Sequence, residues 1–435
     1  MTKSRVAPKI LFLVTEDHSF WTRRLALARR LRDMGAEVWV MTRIQQLGEN
    51  IKREGFKVVS WQVSRKSLNP FCEIRSFLQV FGAYKRIQPD LVHHFSMKAV
   101  IYGGIAARLW REIPTVNTLP GLGHAFTDNS RAMQVLRSFI LLLLRFSVKR
   151  RNVKTIFQNS DNLDFLVRAG TIETSRSRII RGSGVDCTKF FPQPEPNGIP
   201  IVLLAGRMLW EKGVAEFVEA ARILRREKVS VRFVLVGEPD PAHTSSIPES
   251  QLRRWVDAGE VEWWGQQDNM PQVFARANLV CLPSYGEGVP KALIEAAACE
   301  RAIVAFDVAG CREVVLHGEN GFLLPLHNTG ALARAIASLV KDPHLRAKMA
   351  TRGREIAVRD FSEALVVKQT LEVYRELMPE FFDAPPTPVE IEPQDIMRTN
   401  ARGDRIADNA CGHNNRALFS RYREVETQQS ESKKG

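Results

Sequence analysis

The sequence predicts an α/β fold in which two doubly wound domains of parallel strands face each other across a cleft. Short, almost wholly apolar strands alternate with amphipathic helices from residue 9 onwards. The alternation stops at the proline-rich segment FFPQPEPNGIP, residues 190–200, and then restarts. A chain of 435 residues is also too long for one ordinary core. We therefore expect a ligand site in the cleft, at the carboxyl ends of the strands.

The first domain is predicted to span residues 1–190. KILFLV is its first strand, WTRRLALARRLRDMG a helix that ends at a glycine, and AEVWVMT the second strand. FKVVSWQ, PDLVHHF, IPTVNTL and TIFQNS continue the strands, with FCEIRSFLQVFGAYKRI and YGGIAARLW as intervening helices. The apolar run at the N-terminus is five residues long and predicts a strand, because a signal peptide has a longer apolar region.

The second domain is predicted to span residues 201–362, after a proline-rich linker at residues 191–200. IVLLAG, VRFVLVG, LVCLPS, AIVAF and GFLLP are its strands, and the helices include GVAEFVEAARILRREK and ALIEAAACE. A closing helix follows at residues 363–380. Residues 381–435 are polar, rich in proline at their start and poor in aliphatic clusters, which predicts disorder.

The net charge of +14 is compatible with nucleic acid, an anionic membrane surface or anionic small substrates. Basic residues are spread through both halves, so the sequence predicts no nucleic-acid partner. The six cysteines form no CxxC pair, which favours a reducing compartment.

SFILLLLRFSV, residues 138–148, is the longest apolar stretch, and the basic segment KRRNVK follows it. It is too short to span a bilayer, which takes about 20 apolar residues. Two interpretations remain open. Residues 138–148 form a buried helix, or residues 138–154 form an interfacial helix whose basic flank contacts anionic lipid.

The first turn of the second domain reads LLAGRMLWEKGVAEF. Gly206 allows a sharp turn at the strand end. Arg207 offers a planar fork for phosphate oxygens, and Lys212 adds a point charge beside the start of a helix, which favours anions. These residues predict a phosphate site, although a surface Arg and Lys in an ordinary loop would give the same pattern.

The segment EGVPKALIEAA, residues 287–297, joins a strand to a helix. Pro290 suits the first helical position, and the N–H groups around residues 288–291 should face the cleft unpaired. Glu295 lies about one turn into the helix and should lean back towards the same site, where it can accept hydrogen bonds from vicinal hydroxyls. Glu287 should face whatever lies beyond the phosphates.

GRMLWEKG and EGVPKALIE together resemble the retaining family-4 glycosyltransferases, which have the two-domain GT-B fold. The resemblance extends over residues 8–378 and implies that Arg207 and Lys212 hold the donor diphosphate and that Glu295 binds the ribose. It also implies that Glu287, Gly288 and Val289 contact the donor sugar. We expect Glu287, Lys212 and Arg207 to have catalytic roles. The expected donor-binding residues are Gly206, Arg207, Lys212, Gly265, Gly288, Val289, Pro290, Glu295.

The segments VHHFSMKAVIYGGIAAR, VNTLPGLGHAFT and IFQNSDNLDFLVRAG resemble the bacterial branch that extends undecaprenyl-diphosphate-linked glycans. This resemblance implies a UDP-sugar donor, a lipid-linked acceptor, and a cytoplasmic enzyme at the inner face of the cell membrane. Many relatives carry a histidine after the fifth strand, where this chain has Pro120, so no catalytic histidine is assigned. The candidate acceptor-side residues are His94, Lys98, Gly121, Gly123, His124.

The predicted function is retaining transfer of a hexose or N-acetylhexosamine in the synthesis of a cell-surface polysaccharide. No DxD pair and no histidine spacing typical of a metal site occurs, so we expect no metal and no cofactor. Arg207, Lys212 and the helix dipole can stabilise the leaving diphosphate in place of a metal ion. The alternatives are a sugar-nucleotide epimerase or hydrolase of the same fold, and a basic membrane-binding protein without catalysis.

Core packing is the preferred role for Trp263 and Trp264, with nucleobase stacking as the alternative.

Overall fold

The first half of the chain forms a sheet of seven parallel strands. The structure is a computed structural model, and it describes residues 7–64, 69–122, 126, 130–241 and 243–383. The strand order is β3-β2-β1-β4-β5-β6-β7, so the winding reverses between β1 and β4. The strands are β1 Lys9–Val14, β2 Glu37–Thr42, β3 Lys57–Ser60, β4 Leu91–Phe95, β5 Thr115–Leu119, β6 Val153–Phe157 and β7 Ser177–Ile179.

The second half forms a parallel sheet of six strands in the order β10-β9-β8-β11-β12-β13, which reverses between β8 and β11. Its strands are β8 Ile201–Ala205, β9 Arg232–Val236, β10 Glu262–Trp263, β11 Leu279–Leu282, β12 Ala302–Phe306 and β13 Gly321–Leu324. Central strands such as β8 are buried along their whole length because helices cover both faces. The predicted pair of doubly wound α/β domains is confirmed.

Helices cover both sheets. Those of the first half are α1 Asp17–Arg23, α2 Leu25–Asp33, α3 Gly48–Arg53, α4 Pro70–Ile87, α5 Met97–Trp110, α6 Arg131–Val148 and α7 Ser160–Arg168. Those of the second half are α8 Val214–Arg226, α9 Glu249–Asp257, α10 Met270–Ala275, α11 Lys291–Ala298, α12 Ala309–Arg312, α13 Thr329–Lys341 and α14 Pro343–Phe361. Two more, α15 Glu363–Leu377 and α16 Pro379–Phe382, end the described chain.

The last two helices return to the first sheet. Val366, Val373 and Tyr374 of α15 are buried in the cluster that contains the β1 side chains. We therefore use N-terminal lobe for residues 7–182 together with 363–382, and C-terminal lobe for residues 185–361. The predicted disorder of residues 381–435 falls almost entirely on residues 384–435, which the structure does not describe.

The chain passes between the lobes twice, and the two passages lie side by side. The Val185 N–H donates to the Phe361 carbonyl, and the Glu363 N–H donates to the Val185 carbonyl, both at 2.9 Å. A Cβ atom on Gly184 would lie 2.6 Å from the Glu363 Cα atom, so only glycine allows this approach. These contacts fix the lobes together at one place.

Residues 191–200, predicted as a linker, are attached to the C-terminal lobe. The buried Arg301 donates to the Gln193 carbonyl at 3.0 Å. Arg346 and Glu195 form an ion pair at 2.7 Å, and Asn278 donates to the same carboxylate at 3.2 Å. The segment is irregular, as its four prolines dictate, but Gln193 and Glu195 tie it to the C-terminal lobe.

The prediction of a single helix over WTRRLALARRLRDMG is wrong in one respect. The structure has two helices there, and they meet at Arg24. Arg24 has φ −128° and ψ −9°, so α1 ends at Arg23 and α2 begins at Leu25. The break turns the Arg24 side chain inwards, while Arg23 stays exposed.

Helix α6 contains the apolar stretch 138–148, and it is partly buried and partly exposed. Leu144 is fully buried, whereas Phe139 and Leu142 are 57% and 63% exposed on the opposite face. Among the described helices, none combines the length and the apolar content that a membrane-spanning segment needs.

Candidate active site

The loop after β8 places Lys212 at the cleft. The chain makes a short 3₁₀ turn over Trp210–Lys212, and Gly213 caps α8 with φ 72°, a conformation that favours glycine. A Cβ atom on Gly213 would lie 1.9 Å from the Pro283 carbonyl oxygen. This packing presses the loop after β8 against the loop after β11, so Lys212 points towards residues 283–290.

The loop after β11 is held between the lobes at Gly288. A Cβ atom there would lie 1.9 Å from the Pro120 carbonyl oxygen, which belongs to the N-terminal lobe. Asn159, also from that lobe, donates from Nδ2 to the Gly288 carbonyl at 3.1 Å. On the other side, a Cβ atom on Gly310 would lie 1.9 Å from the Gly288 carbonyl oxygen. Gly288 therefore lies where the two lobes meet.

Free N–H groups gather at the start of α11. Pro290 was predicted at the first helical position, but it is the N-cap residue and α11 begins at Lys291. The Pro290 carbonyl accepts the first hydrogen bonds of the helix. Among the described residues, the N–H groups of Gly288, Val289 and Lys291 donate to no protein acceptor. Such groups at a helix start favour an anion.

Lys212 and Glu287 form an ion pair in this cleft, with Nζ donating to Oε1. Their side chains are 19% and 11% exposed. A pair this enclosed interacts more strongly than a pair in bulk water, because less solvent screens it. The two residues predicted to contact the diphosphate and the sugar are thus neighbours.

Glu295 is buried one turn into α11, with 8% of its surface exposed. Burial raises the pKa of its carboxyl group above the usual range, and Lys291 partly offsets that effect. Lys291 Nζ lies 3.4 Å from Glu295 Oε1 and donates to the Thr22 carbonyl of the N-terminal lobe at 2.8 Å. Glu295 therefore lies beside the same helix start as the free N–H groups.

Arg207 follows Gly206 at the end of β8 and is 45% exposed. Its Nη1 atom donates to Asp240 Oδ2 at 2.7 Å. Gly206 is approached closely by Gly237, whose Cβ atom would lie 2.0 Å from the Gly206 carbonyl oxygen. No local sequence pattern predicts Asp240 at this position, because it follows a different strand, β9.

Trp263, Trp264 and Gly265 follow one another at the end of β10. Trp263 Nε1 donates to the Gly237 carbonyl at 2.7 Å, and the Gly265 carbonyl accepts from the Gly237 N–H at 2.8 Å. Trp264 packs against a core cluster, and the Arg276 guanidinium lies 3.8 Å from its ring centroid. Both tryptophans thus pack within the lobe, as preferred from the sequence.

Assigning His94 to the acceptor side is wrong, because this residue is fully buried. Its ring nitrogens bond to Tyr84 at 2.7 Å and Asn117 at 2.8 Å, and burial lowers its pKa to about 3. Gly103 packs against the ring, since a Cβ atom there would lie 2.4 Å from Nε2. His94 therefore faces the helices on one side of the sheet.

The other candidate acceptor-side residues have different surroundings. Gly121 lies beside Gly288, with its Cβ position 3.9 Å from the Gly288 Cα atom. Lys98 pairs with Glu73 at 2.9 Å. Gly123 and His124 lie outside the described residues.

The sequence patterns did not single out Asn159 and Lys291, although both lie inside the motifs that predict the site. Asn159 belongs to IFQNS and contacts Gly288, and Lys291 belongs to EGVPKALIE and bridges both lobes. Their place inside these motifs was the only feature of the sequence that could have identified them as site residues.

Two family models match the chain. The model for glycosyl transferases group 1 matches residues 199–342, and the model for glycosyl transferase 4-like proteins matches residues 9–160. Together they cover most of both lobes.

Two curated relatives match over nearly their whole length. An N,N'-diacetylbacillosaminyl-diphospho-undecaprenol alpha-1,3-N-acetylgalactosaminyltransferase of Campylobacter jejuni is 29% identical, over 84% of this chain and 98% of that protein. The putative glycosyltransferase EpsD of Bacillus subtilis is 26% identical, over 85% and 97%.

Solved structures share the fold. HepE of Anabaena, solved with UDP and glucose, superposes with a TM-score of 0.70 at 21% identity, over 85% of this chain and all of that one. Sucrose-phosphate synthase of Thermosynechococcus elongatus gives a TM-score of 0.70 at 21% identity, over 86% of this chain and all of that one. The shared fold is two α/β lobes with a cleft between them.

Proposed function

Because this chain belongs to the group 1 glycosyltransferases with the GT-B fold, we propose that it transfers a hexose or N-acetylhexosamine from a UDP-sugar to a lipid-linked saccharide, with retention of anomeric configuration. The observation that carries the proposal is the grouping of Lys212, Glu287 and Glu295 around the start of α11. Support for the acceptor comes from the Campylobacter relative, which is named for a diphospho-undecaprenol acceptor. The HepE complex supports UDP as the nucleotide.

In the proposed donor complex the diphosphate binds at the start of α11. The N–H groups of Gly288, Val289 and Lys291 donate to its oxygens, and Lys212 and Arg207 add positive charge. Glu295 accepts hydrogen bonds from the ribose hydroxyls. The sugar then lies towards Glu287, beside the junction of the lobes.

In the proposed reaction the acceptor hydroxyl oxygen bonds to the anomeric carbon on the face that the diphosphate leaves. The bond between that carbon and the phosphate oxygen breaks, and its electron pair stays with the phosphate. The hydroxyl proton passes to the departing phosphate oxygen. Lys212, Arg207 and the free N–H groups stabilise the charge that develops there.

We also propose that these groups supply the positive charge that the leaving diphosphate needs, without a metal ion. The measurement is the transfer rate before and after exhaustive treatment with a chelator. An unchanged rate is expected, and loss of activity that Mg²⁺ or Mn²⁺ restores would overturn this part of the proposal.

The acceptor requires a place at the membrane, and the exposed faces of α4 and α6 are proposed to provide it. Both helices pack against α5 in the N-terminal lobe. Their exposed apolar side chains, here called the apolar face, are Phe71, Ile74, Leu78, Val135, Phe139, Leu142, Phe146. Arg145 of α6 and Lys149, the residue that follows α6, are exposed, so the surface combines apolar contact with positive charge. We therefore place the enzyme in the cytoplasm, bound to the inner face of the cell membrane.

Binding and product analysis test the function. UDP, GDP and ADP are titrated against the wild type and Glu295→Ala, and UDP-N-acetylhexosamines are then incubated with a lipid-linked diphosphate saccharide. We expect selective UDP binding that the substitution weakens, and a product whose new linkage keeps the donor's anomeric configuration. Consumption of the UDP-sugar without an acceptor would indicate the epimerase or hydrolase alternative. Failure to bind any nucleotide would remove the donor site altogether.

A further inference from the structure

A small cavity that opens to solvent lies between the junction of α1 and α2, the central strands of the first sheet and the start of α15. Its walls include Arg24, His93, Thr118, Ser183 and Glu363. The proposed mechanism uses none of these residues.

Arg24 is a buried cation that lines this cavity. Only 7% of the surface of this residue is exposed. Within the described residues its guanidinium donates no hydrogen bond and takes part in no ion pair, although it carries five N–H donors. The Phe95 ring covers one face, with its centroid 4.1 Å from Cζ. The break between α1 and α2 is what directs this side chain into the cavity.

The neighbours of Arg24 do not neutralise it. His93 is fully enclosed, and its ring nitrogens bond to Tyr374 at 2.6 Å and Thr118 at 2.7 Å. Burial and the nearby Arg24 charge lower the pKa of His93 well below its usual value, so its ring is neutral. Glu363 is half-buried on another wall and forms no ion pair with Arg24. A buried charge without a partner is costly, and an anion supplied from outside would offset that cost.

The cavity lies next to the candidate donor site. Thr22, two residues before Arg24, accepts a hydrogen bond from Lys291, and Lys291 pairs with Glu295. A Cβ atom on Gly182, which lines the cavity, would lie 3.2 Å from Val289 Cγ1. A ligand in the donor site therefore has the cavity within reach.

We propose that Arg24 binds a phosphate group of a sugar–phosphate substrate, and that Ser183 and Glu363 bond to neighbouring hydroxyls. The planar guanidinium fork matches two phosphate oxygens, and the hydroxyl and carboxylate suit a sugar. The inference rests on the proposed function, in which donor and acceptor are both glycosyl diphosphates. Either could supply the phosphate, and the test distinguishes them.

Calorimetric titrations of wild type, Arg24→Met and Arg24→Lys with UDP and with farnesyl diphosphate measure the contribution of Arg24. Farnesyl diphosphate is the probe for a prenyl diphosphate acceptor. Arg24→Met should raise the Kd of at least one of the two ligands by a factor of about ten or more. Arg24→Lys should recover part of that loss because it keeps the charge. Weaker binding of UDP assigns the donor phosphate, and weaker binding of farnesyl diphosphate alone assigns the acceptor phosphate.

Unchanged Kd values for both ligands would overturn the inference while leaving the function intact, provided that the wild type binds UDP. A wild type that binds no nucleotide would instead defeat the proposed function. Thermal unfolding without ligand is the structural control. Arg301→Met should lower the Tm, since Arg301 bonds to the Phe274 carbonyl at 3.0 Å. Arg24→Met should not lower it, and a comparable decrease would make Arg24 a structural residue and overturn the inference.

Discussion

Lys212 donates from Nζ to Glu287 Oε1, so the loops after β8 and β11 are joined by an ion pair inside the cleft. The pair spans 75 residues of sequence. A diphosphate that binds at the start of α11 must compete with Glu287 for Lys212. Each of the two side chains therefore limits how readily the other can bind a ligand.

Lys212→Met should weaken UDP binding, because a charge-assisted contact of about 1.5–3 kcal/mol is lost and the uncompensated Glu287 repels the diphosphate. The loss corresponds to roughly a 10- to 150-fold higher Kd. Titration calorimetry measures it. Lys348→Met, at an exposed position on α14, is the control and should leave the Kd unchanged. Equal Kd values for wild type and Lys212→Met would contradict the prediction.

Glu287→Gln should leave UDP binding unchanged or make it tighter, because the neutral amide competes less well for Lys212. The kcat should nevertheless fall, by roughly tenfold or more if a hydrogen bond of about 1.5 kcal/mol near the reacting sugar is lost. Steady-state kinetics and a UDP titration on the same preparation separate the two effects. A parallel fall in UDP affinity and kcat would show that Glu287 serves nucleotide binding instead.

Gly288→Ala should prevent the lobes from meeting as they do here, since the added Cβ atom would lie 1.9 Å from the Pro120 carbonyl oxygen. Overpacking of this kind typically costs about 1–3 kcal/mol. We expect a lower kcat/KM and a larger radius of gyration with UDP, measured by small-angle scattering. Gly286→Ala is the matched control, because nothing lies within 4 Å of its Cβ position. A variant as compact and as active as the wild type would contradict the prediction.

Glu295→Gln should make stability less dependent on pH. Because burial raises the folded-state pKa of Glu295, the protonated carboxyl stabilises the fold. That contribution is fully present below the unfolded value of about 4.3 and is lost as the pH rises through the folded pKa. The substitution removes the loss, so the free energy of unfolding of Glu295→Gln relative to wild type should increase between pH 4 and pH 8. Denaturant titrations at both pH values measure it.

The exposed Glu355→Gln serves as the control for that experiment, since it removes a like charge at the surface. A relative stability of Glu295→Gln that stays constant, or falls, between the two pH values would mean that the buried carboxylate is well compensated.

Phe139→Ser combined with Leu142→Ser should weaken binding to vesicles that contain anionic lipid, while the Tm stays unchanged because both side chains are exposed. Burying one such side chain contributes about 1.5–3 kcal/mol at most, so a decrease of tenfold or more in vesicle affinity is expected. Sedimentation with vesicles measures it. Val358→Ser, exposed on α14 of the other lobe, is the control. Undiminished vesicle binding would show that the apolar face does not contribute to membrane binding.

Much of the fold was predictable because buried parallel strands are apolar throughout and their helices are amphipathic. The same property explains the error at His94. Every residue of β4 is buried, so alternation along the strand does not tell which side chain faces the cleft. The break at Arg24 was not predictable, since the apolar period runs through it. The Lys212–Glu287 pair depends on two distant loops meeting, which no local pattern encodes.

The pairing of Val185 with the chain around Ser362 has a consequence for how the protein is made. The C-terminal lobe is one continuous segment, and it can begin to fold as soon as the ribosome has released it. The N-terminal lobe is completed only when α15 and α16 emerge, because Tyr374 fills its interior and bonds to His93. The lobe that is synthesised first is therefore finished last, and a nascent chain that stops at residue 362 leaves that interior uncovered.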